Sequence, residues 1–172
     1  RRGMKNLVIW RDDFQLRGNT DFDQAIRSRL EKTALFFVLN SRVYESSDYC
    51  EKELQWFHQF NNDRPGGLLI GEEHRLFNVL LSNTPYLEWP SELDGAIGFP
   101  MNDAREKEQL GDATSPDEAL FRKQLRRIVD AAERTLNLFP KCEPAAKQTE
   151  VVSPPRSVFV ADVSDALIKQ RD

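Results

Sequence analysis

The chain has 172 residues, 40% hydrophobic and 30% charged, with a net charge of −4 and a pI near 5.3. That is enough chain for one domain of ordinary size with a real core. The acidic balance argues against a nucleic-acid or anionic-membrane binder, since both need a basic face. No run approaches the roughly 20 apolar residues of a membrane span.

Residues 7–10, "LVIW", read as a short buried strand. A loop over 11–19 follows, with Gly18 and Asn19 as turn residues. Thr20 then caps a helix whose apolar face is Phe22, Ala25, Ile26 and Leu30, with Asp21 and Asp23 in its first turn. Residues 34–40, "ALFFVLN", are apolar almost throughout, as expected of a strand covered on both faces in a parallel sheet. Ser47 caps the next helix, which runs to about Phe60 and carries carboxylates in its first turns, where they suit the helix dipole. Cys50, Leu54 and Phe57 are spaced as one buried face.

"NNDRPGG" is a loop and residues 75–82 are a third strand. Residues 84–100 hold several prolines and glycines among aromatics. They read as irregular, with a helical turn near Ser91 and a short strand over 96–99. Residues 101–116 read as polar and mobile. The clearest helix then begins. Ser115 caps it, Pro116 takes its first position and Glu118 completes a capping box. Its apolar stripe is Phe121, Leu125, Ile128, Val129, Ala132 and Leu136, and Pro140 ends it. Residues 140–156 read as a linker with three prolines and no periodicity. Residues 157–172 read as a strand and a helix start that open a second, truncated domain. Both ends of the chain read as cut.

Alternating strands and helices favour an α/β fold with a parallel sheet. Such sheets bind ligands beyond the carboxyl ends of their strands. The loop over 11–19 and the turn over 41–47 both leave such ends, and Glu53 overhangs the second. Two readings of Glu53 stand at this point: a solvated helix residue with a surface ion pair, or a reactive carboxylate. A lone carboxylate suffices where the leaving group departs neutral by itself, as the nicotinamide of NAD does, because its ring nitrogen is already cationic. The carboxylate then stabilises an oxocarbenium-like ribose and holds its hydroxyls. Tyr49, Phe22 and Trp10 are placed to stack on planar rings, with core packing as the other use of aromatics. Gly66-Gly67 lacks the lysine and helix start of a phosphate loop. No Ser/His/Asp set is recognisable. Cys50, near a helix N-terminus with His58 two turns on, is a weak nucleophile candidate. Cys50, Cys142, His58 and His74 show no metal-ligand spacing, so a reduced cytoplasmic protein without a structural metal is expected.

The stretch from "LVIWRDDF" to "SSDYCEKEL" resembles the TIR (Toll/interleukin-1 receptor) domain in its bacterial form. The elements that carry the likeness are Trp10 and Asp12, Gly18, the helix from Thr20, Leu39-Asn40-Ser41, Tyr44, Ser47 and the Tyr49-to-Leu54 run with Glu53. The match is close over the first half of the chain and looser to Phe139. The resemblance implies a flavodoxin-like fold over 1–139 with a five-stranded parallel sheet flanked by helices. It also implies cleavage of NAD to nicotinamide and ADP-ribose or a cyclic isomer, with NAD as substrate and no cofactor. Glu53 matches the catalytic glutamate. Tyr49, where the family more often has Trp, Phe22, Asp12, Ser41, Trp10 and Gly18 match its neighbours. Implied partners are homotypic TIR–TIR contacts and downstream sensor or effector domains, in anti-phage defence triggered by clustering. The alternative is a non-catalytic TIR–TIR scaffold in signalling. A different nucleoside glycosidase on the same fold is a third reading. One departure stands out. The family begins with a strand and helix before the one at Leu7, and that strand sits between the strands at Leu7 and Ala34. Without it those neighbours would lie about 9–10 Å apart, twice the usual strand spacing.

Overall fold

The computed structural model describes residues 7–11, 22–62, 64, 66–93, 95, 96, 98–102, 115, 118–139 and 156–161. Its elements in chain order are β1 (Leu7–Arg11), α1 (Phe22–Glu31), β2 (Thr33–Asn40), α2 (Arg42–Glu45) and α3 (Asp48–Asn62). A hairpin of β3 (Leu69–Ile70) and β4 (Glu73–His74) follows, then β5 (Leu76–Leu80), β6 (Phe99–Pro100), α4 (Ala119–Leu138) and β7 (Arg156–Ala161). Five strands form one all-parallel sheet in the order β1-β7-β2-β5-β6. This is an α/β fold of flavodoxin-like topology. Counted from β7, the order becomes the 2-1-3-4-5 of that topology.

The expected vacancy between β1 and β2 is therefore filled, and from the far end of the chain. The sequence pattern assigns residue 156 to a linker and residues 157–161 to the start of a second domain. Instead β7 pairs with β1 on one side and β2 on the other, Trp10 standing beside Phe159 and Phe159 beside Phe36. The physical reason is the one that made the gap untenable: two strands that far apart leave their backbone groups unpaired, and a mid-sheet strand satisfies both edges. The rest of the linker and residues 162–172 lie outside the described residues.

The alternation of side chains in β2 sends Phe36 and Val38 to one face and Leu35 and Phe37 to the other, so both faces are apolar. On the first face α1 and α3 cover a stack of rings. Trp10 rests on Phe159 with centroids 4.8 Å apart, Phe159 on Phe36 at 4.9 Å, and Phe36 on Phe57 of α3 at 5.0 Å. Ile26, Leu30 and Leu54 close around it. On the second face Phe37, Phe77 and Phe99 form a shorter row, and α4 packs over it through Ile128, Ala131 and Leu136. α4 connects strands in the opposite direction across the sheet from α1 and α3. A single handedness of crossover then places it on the opposite face.

Several local expectations are refined. β1 is not buried: it is an edge strand, and Leu7, Val8 and Ile9 are exposed while Trp10 is buried. The turn over 41–47 contains α2, and the β3–β4 hairpin was not expected. The strand expected over 96–99 is Phe99–Pro100. α4 begins at Ala119, later than its capping signal, yet the Glu118 carboxylate does accept the Ser115 N–H at 3.0 Å. Its buried face is Gln124, Ile128, Ala131, Thr135 and Leu136, and Leu125 and Val129 of the expected stripe are exposed.

At the amino end of the sheet Arg75 ties three elements together. Its guanidinium donates to the carbonyls of Ala34 at 2.9 Å and Thr33 at 2.8 Å and to Asn61 Oδ1, and it lies between the rings of Phe57 and Phe139. Burial, then the neighbouring Arg64, lowers its pKa to about 10. Among the described residues no helix is long and apolar enough to cross a membrane.

Candidate functional site

Sheets of this topology bind ligands beyond the carboxyl ends of their strands, and β2 ends at Asn40. The chain leaving β2 turns at once. Ser41 caps α2, its Oγ accepting the Tyr44 N–H at 3.2 Å, and Ser47 caps α3, its Oγ accepting the Cys50 N–H at 3.4 Å. Two caps within seven residues fold α2 back under α3. This buries Tyr44, whose hydroxyl donates to the Cys50 carbonyl at 3.3 Å.

Glu53 sits one and a half turns into α3 and is 2% exposed. The reading of Glu53 as a solvated helix residue is thus corrected. The cause is a second stripe on the helix. Cys50, Leu54, Phe57 and Asn61 are buried along the sheet side, while Tyr49, Glu53, Trp56 and Phe60 share the adjacent side. α1 packs there, with the Arg27 guanidinium 5.4 Å from the Trp56 ring and 5.8 Å from that of Phe60. Tyr49 meets Trp56 edge-on at 6.1 Å. Tyr44 feels the carboxylate: burial first, then Cys50, Glu53 and Glu92, hold its hydroxyl well above its ordinary pKa.

Elsewhere in the fold, some polar atoms are buried without partners among the described residues. Asn40 is 1% exposed at the carboxyl end of β2, on the face that carries Phe36 and Val38, and among the described residues neither its amide oxygen nor its nitrogen has a partner. The Trp10 indole N–H is also buried and has no partner among the described residues. Burying an amide without a hydrogen bond costs about 1–3 kcal/mol, so such groups in a folded protein call for an explanation. On the far side, Glu45 accepts from Thr84 Oγ1 at 3.3 Å, and burial raises its pKa despite that bond. Thr84 in turn meets Ser82 Oγ at 2.9 Å and takes the Trp89 indole N–H on its carbonyl at 3.0 Å.

The expected site residues divide as follows. Glu53 and Tyr49 lie one turn apart on α3, and Ser41 follows β2 as the cap of α2, its hydroxyl used by the backbone. Trp10 is a core residue, buried against Phe159. Phe22 opens α1, but its side chain lies outside the described residues, as do Asp12 and Gly18 entirely. Cys50 is buried beneath Tyr44, and His58 Nε2 lies 2.7 Å from the Glu92 carbonyl, which separates the weak nucleophile pair. Sequence reasoning missed Asn40 as a site residue, together with Tyr44 and Glu45. A polar residue closing an otherwise apolar strand was the signal for Asn40. The aromatic residues at four before, three after and seven after Glu53 were the signal for its burial. No protein-family model matches this chain, and neither does any curated protein.

Proposed function

We propose that the protein is a TIR-type NAD glycohydrolase with Glu53 as its catalytic carboxylate. The observation that carries the reading is a glutamate held out of water on α3, close enough to the buried Tyr44 for its charge to act on that hydroxyl. An aromatic-lined, water-poor setting is where a single carboxylate has most effect on a developing cation. In the proposed reaction the bond between the ribose anomeric carbon and the nicotinamide nitrogen breaks, and its electron pair leaves with the ring, which departs neutral. The Glu53 carboxylate stabilises the oxocarbenium-like sugar and accepts from its hydroxyls. Water adds to the anomeric carbon and loses a proton, or an adenine nitrogen adds to give the cyclic isomer. Tyr49 flanks the carboxylate on the same helical stripe and supplies a ring surface.

The test is leaving-group dependence. NAD should release nicotinamide, while NADH, whose ring nitrogen carries no positive charge, and adenosine should be inert. Cleavage of adenosine at a comparable rate would replace this reading with a general nucleoside glycosidase. One observation favours the scaffold alternative: the outer edge of β1 pairs with no strand among the described residues, and it offers backbone groups to a second molecule. Self-association with no turnover of NAD would decide for it.

A further inference from the structure

α4 is basic in an acidic chain. Between Ala119 and Leu138 it holds five cations, Arg122, Lys123, Arg126, Arg127 and Arg134, against Asp130 and Glu133, while the whole chain has a net charge of −4. The first four fall within six consecutive residues, and all four are exposed. With Ala119 and Asp130 they ring a hollow of about 480 Å³ on the outer side of the helix.

Local stability opposes this arrangement. Arg122 with Arg126, and Lys123 with Arg127, are like charges at i, i+4, which repel. Arg122 and Lys123 follow directly on the first turn, at the end of the helix dipole that favours carboxylates. Arg134 is met by Glu73 at 3.0 Å, but no described carboxylate pairs with Lys123, Arg126 or Arg127. Arg127 instead donates to the uncharged Gln124 side chain at 3.0 Å. Beside the cations the helix surface is apolar. Leu125, three residues from Arg122, is 45% exposed, and Val129, three residues from Arg126, is 54% exposed. Side chains at that spacing are neighbours, so cationic and apolar groups share one patch.

The size and chemistry of the patch choose its occupant. From Arg122 to Val129 it spans about 11 Å of helix. A nucleic-acid duplex or an anionic membrane extends well past that length, and would bring its charge against the acidic remainder of the chain. A short segment meets the patch alone. Guanidinium groups take carboxylates in a bidentate fork. Leu125 and Val129 match apolar side chains, which a sugar–phosphate backbone does not offer.

We propose that this face of α4 docks an acidic amphipathic segment of another protein. Its carboxylates pair with Arg126 and the neighbouring cations, and its apolar side chains rest on Leu125 and Val129. The contact is of the small, transient class. It lies across the sheet from α3 and Glu53, and is independent of the reaction assigned to them.

The experiment measures fluorescence anisotropy of a short labelled peptide of repeated Glu-Glu-Leu-Leu units with the full chain. Arg126→Glu should weaken binding roughly tenfold, because it reverses the charge at the centre of the patch. Leu125→Ser should weaken it several-fold. Arg29→Glu, the same charge change on an exposed residue of α1, should leave it nearly unaltered. Circular dichroism checks that each variant is folded, and Arg126→Gln gives a milder second reading. Equal loss in Arg126→Glu and Arg29→Glu would reduce the effect to net charge and overturn the proposal. So would failure of the unaltered chain to bind the peptide, or tighter binding of a DNA duplex or of phosphatidylserine vesicles than of the peptide. Sedimentation without peptide covers the remaining occupant: a dimer that Arg126→Glu dissociates would assign the face to a second copy and overturn it.

Discussion

Phe159 is the residue through which the last strand holds the sheet together, and replacing it measures that role. It is fully buried, with Trp10 on one side at 4.8 Å and Phe36 on the other at 4.9 Å. Truncation to alanine removes the buried ring and leaves a cavity, for about 3–5 kcal/mol. The two ring stacks place the cost at the upper end of that range. Phe159→Ala should therefore cost about 5 kcal/mol, comparable with the whole stability of many domains. Phe159→Leu, which keeps most of the volume, should cost about 1–2 kcal/mol and leaves a folded protein to measure. With a urea dependence of about 2 kcal/mol per molar, those losses lower the midpoint by roughly 2.5 M and 0.5–1 M. The assay is urea unfolding followed by tryptophan fluorescence and by far-UV circular dichroism. The two probes should shift together, since Trp10 and the helices belong to one cooperative unit. If β7 belonged to a separate unit, the transition reported by α1, α3 and α4 would not move. An unmoved transition for Phe159→Ala would refute the single-sheet account.

Four further outcomes follow from the packing. Arg75→Met strands the carbonyls of Thr33 and Ala34 and the Asn61 side chain, and should cost about 3 kcal/mol in thermal or urea unfolding. Tyr44 has its folded-state pKa raised, so its stabilisation is complete below its unfolded value of about 10 and falls as pH rises beyond it. Tyr44→Phe gives up one hydrogen bond, worth about 1 kcal/mol, and its deficit against the unaltered chain should shrink above pH 10 in alkaline unfolding curves. Gly66 has φ +84°, and an added Cβ would stand 2.5 Å from the Leu69 carbonyl oxygen, so Gly66→Ala should cost about 1–3 kcal/mol in thermal melts. Asn40→Leu removes a buried amide that has no partner among the described residues and should raise stability by about 1 kcal/mol while lowering turnover roughly tenfold; Asn78→Leu, two register steps deeper in the sheet, should raise stability and leave turnover alone.

What was legible in the sequence is what local physics decides. The doubly apolar run of β2 announced a strand with both faces covered, and Ser47 and the Ser115–Glu118 pair announced helix starts. The slot of β7 was not legible. Which strand pairs with which is decided by the ladder that long-range closure satisfies, and the order of elements along the chain says nothing about it. The same blindness made β1 look buried, since an apolar tetrapeptide reads alike at an edge and in mid-sheet. The exposed half of the α4 stripe follows too, because periodicity reports an apolar arc without saying how much of it the sheet covers. Glu53 was placed correctly on its helix, with solvated and reactive readings both left open. Counting the Cys50, Leu54 and Phe57 face alone hid the neighbouring stripe of Tyr49, Trp56 and Phe60. The hairpin of two-residue strands lay below any sequence pattern.

The measurement that bears most directly on the proposed reaction is nicotinamide release from NAD by the full chain beside Glu53→Gln. Both are assayed dilute and under crowding that promotes clustering, with circular dichroism to check the fold. The account predicts release by the unaltered chain, favoured by clustering, and its loss in a variant whose spectrum is unchanged. Release that survives Glu53→Gln, or its absence from both proteins under crowding, would contradict it.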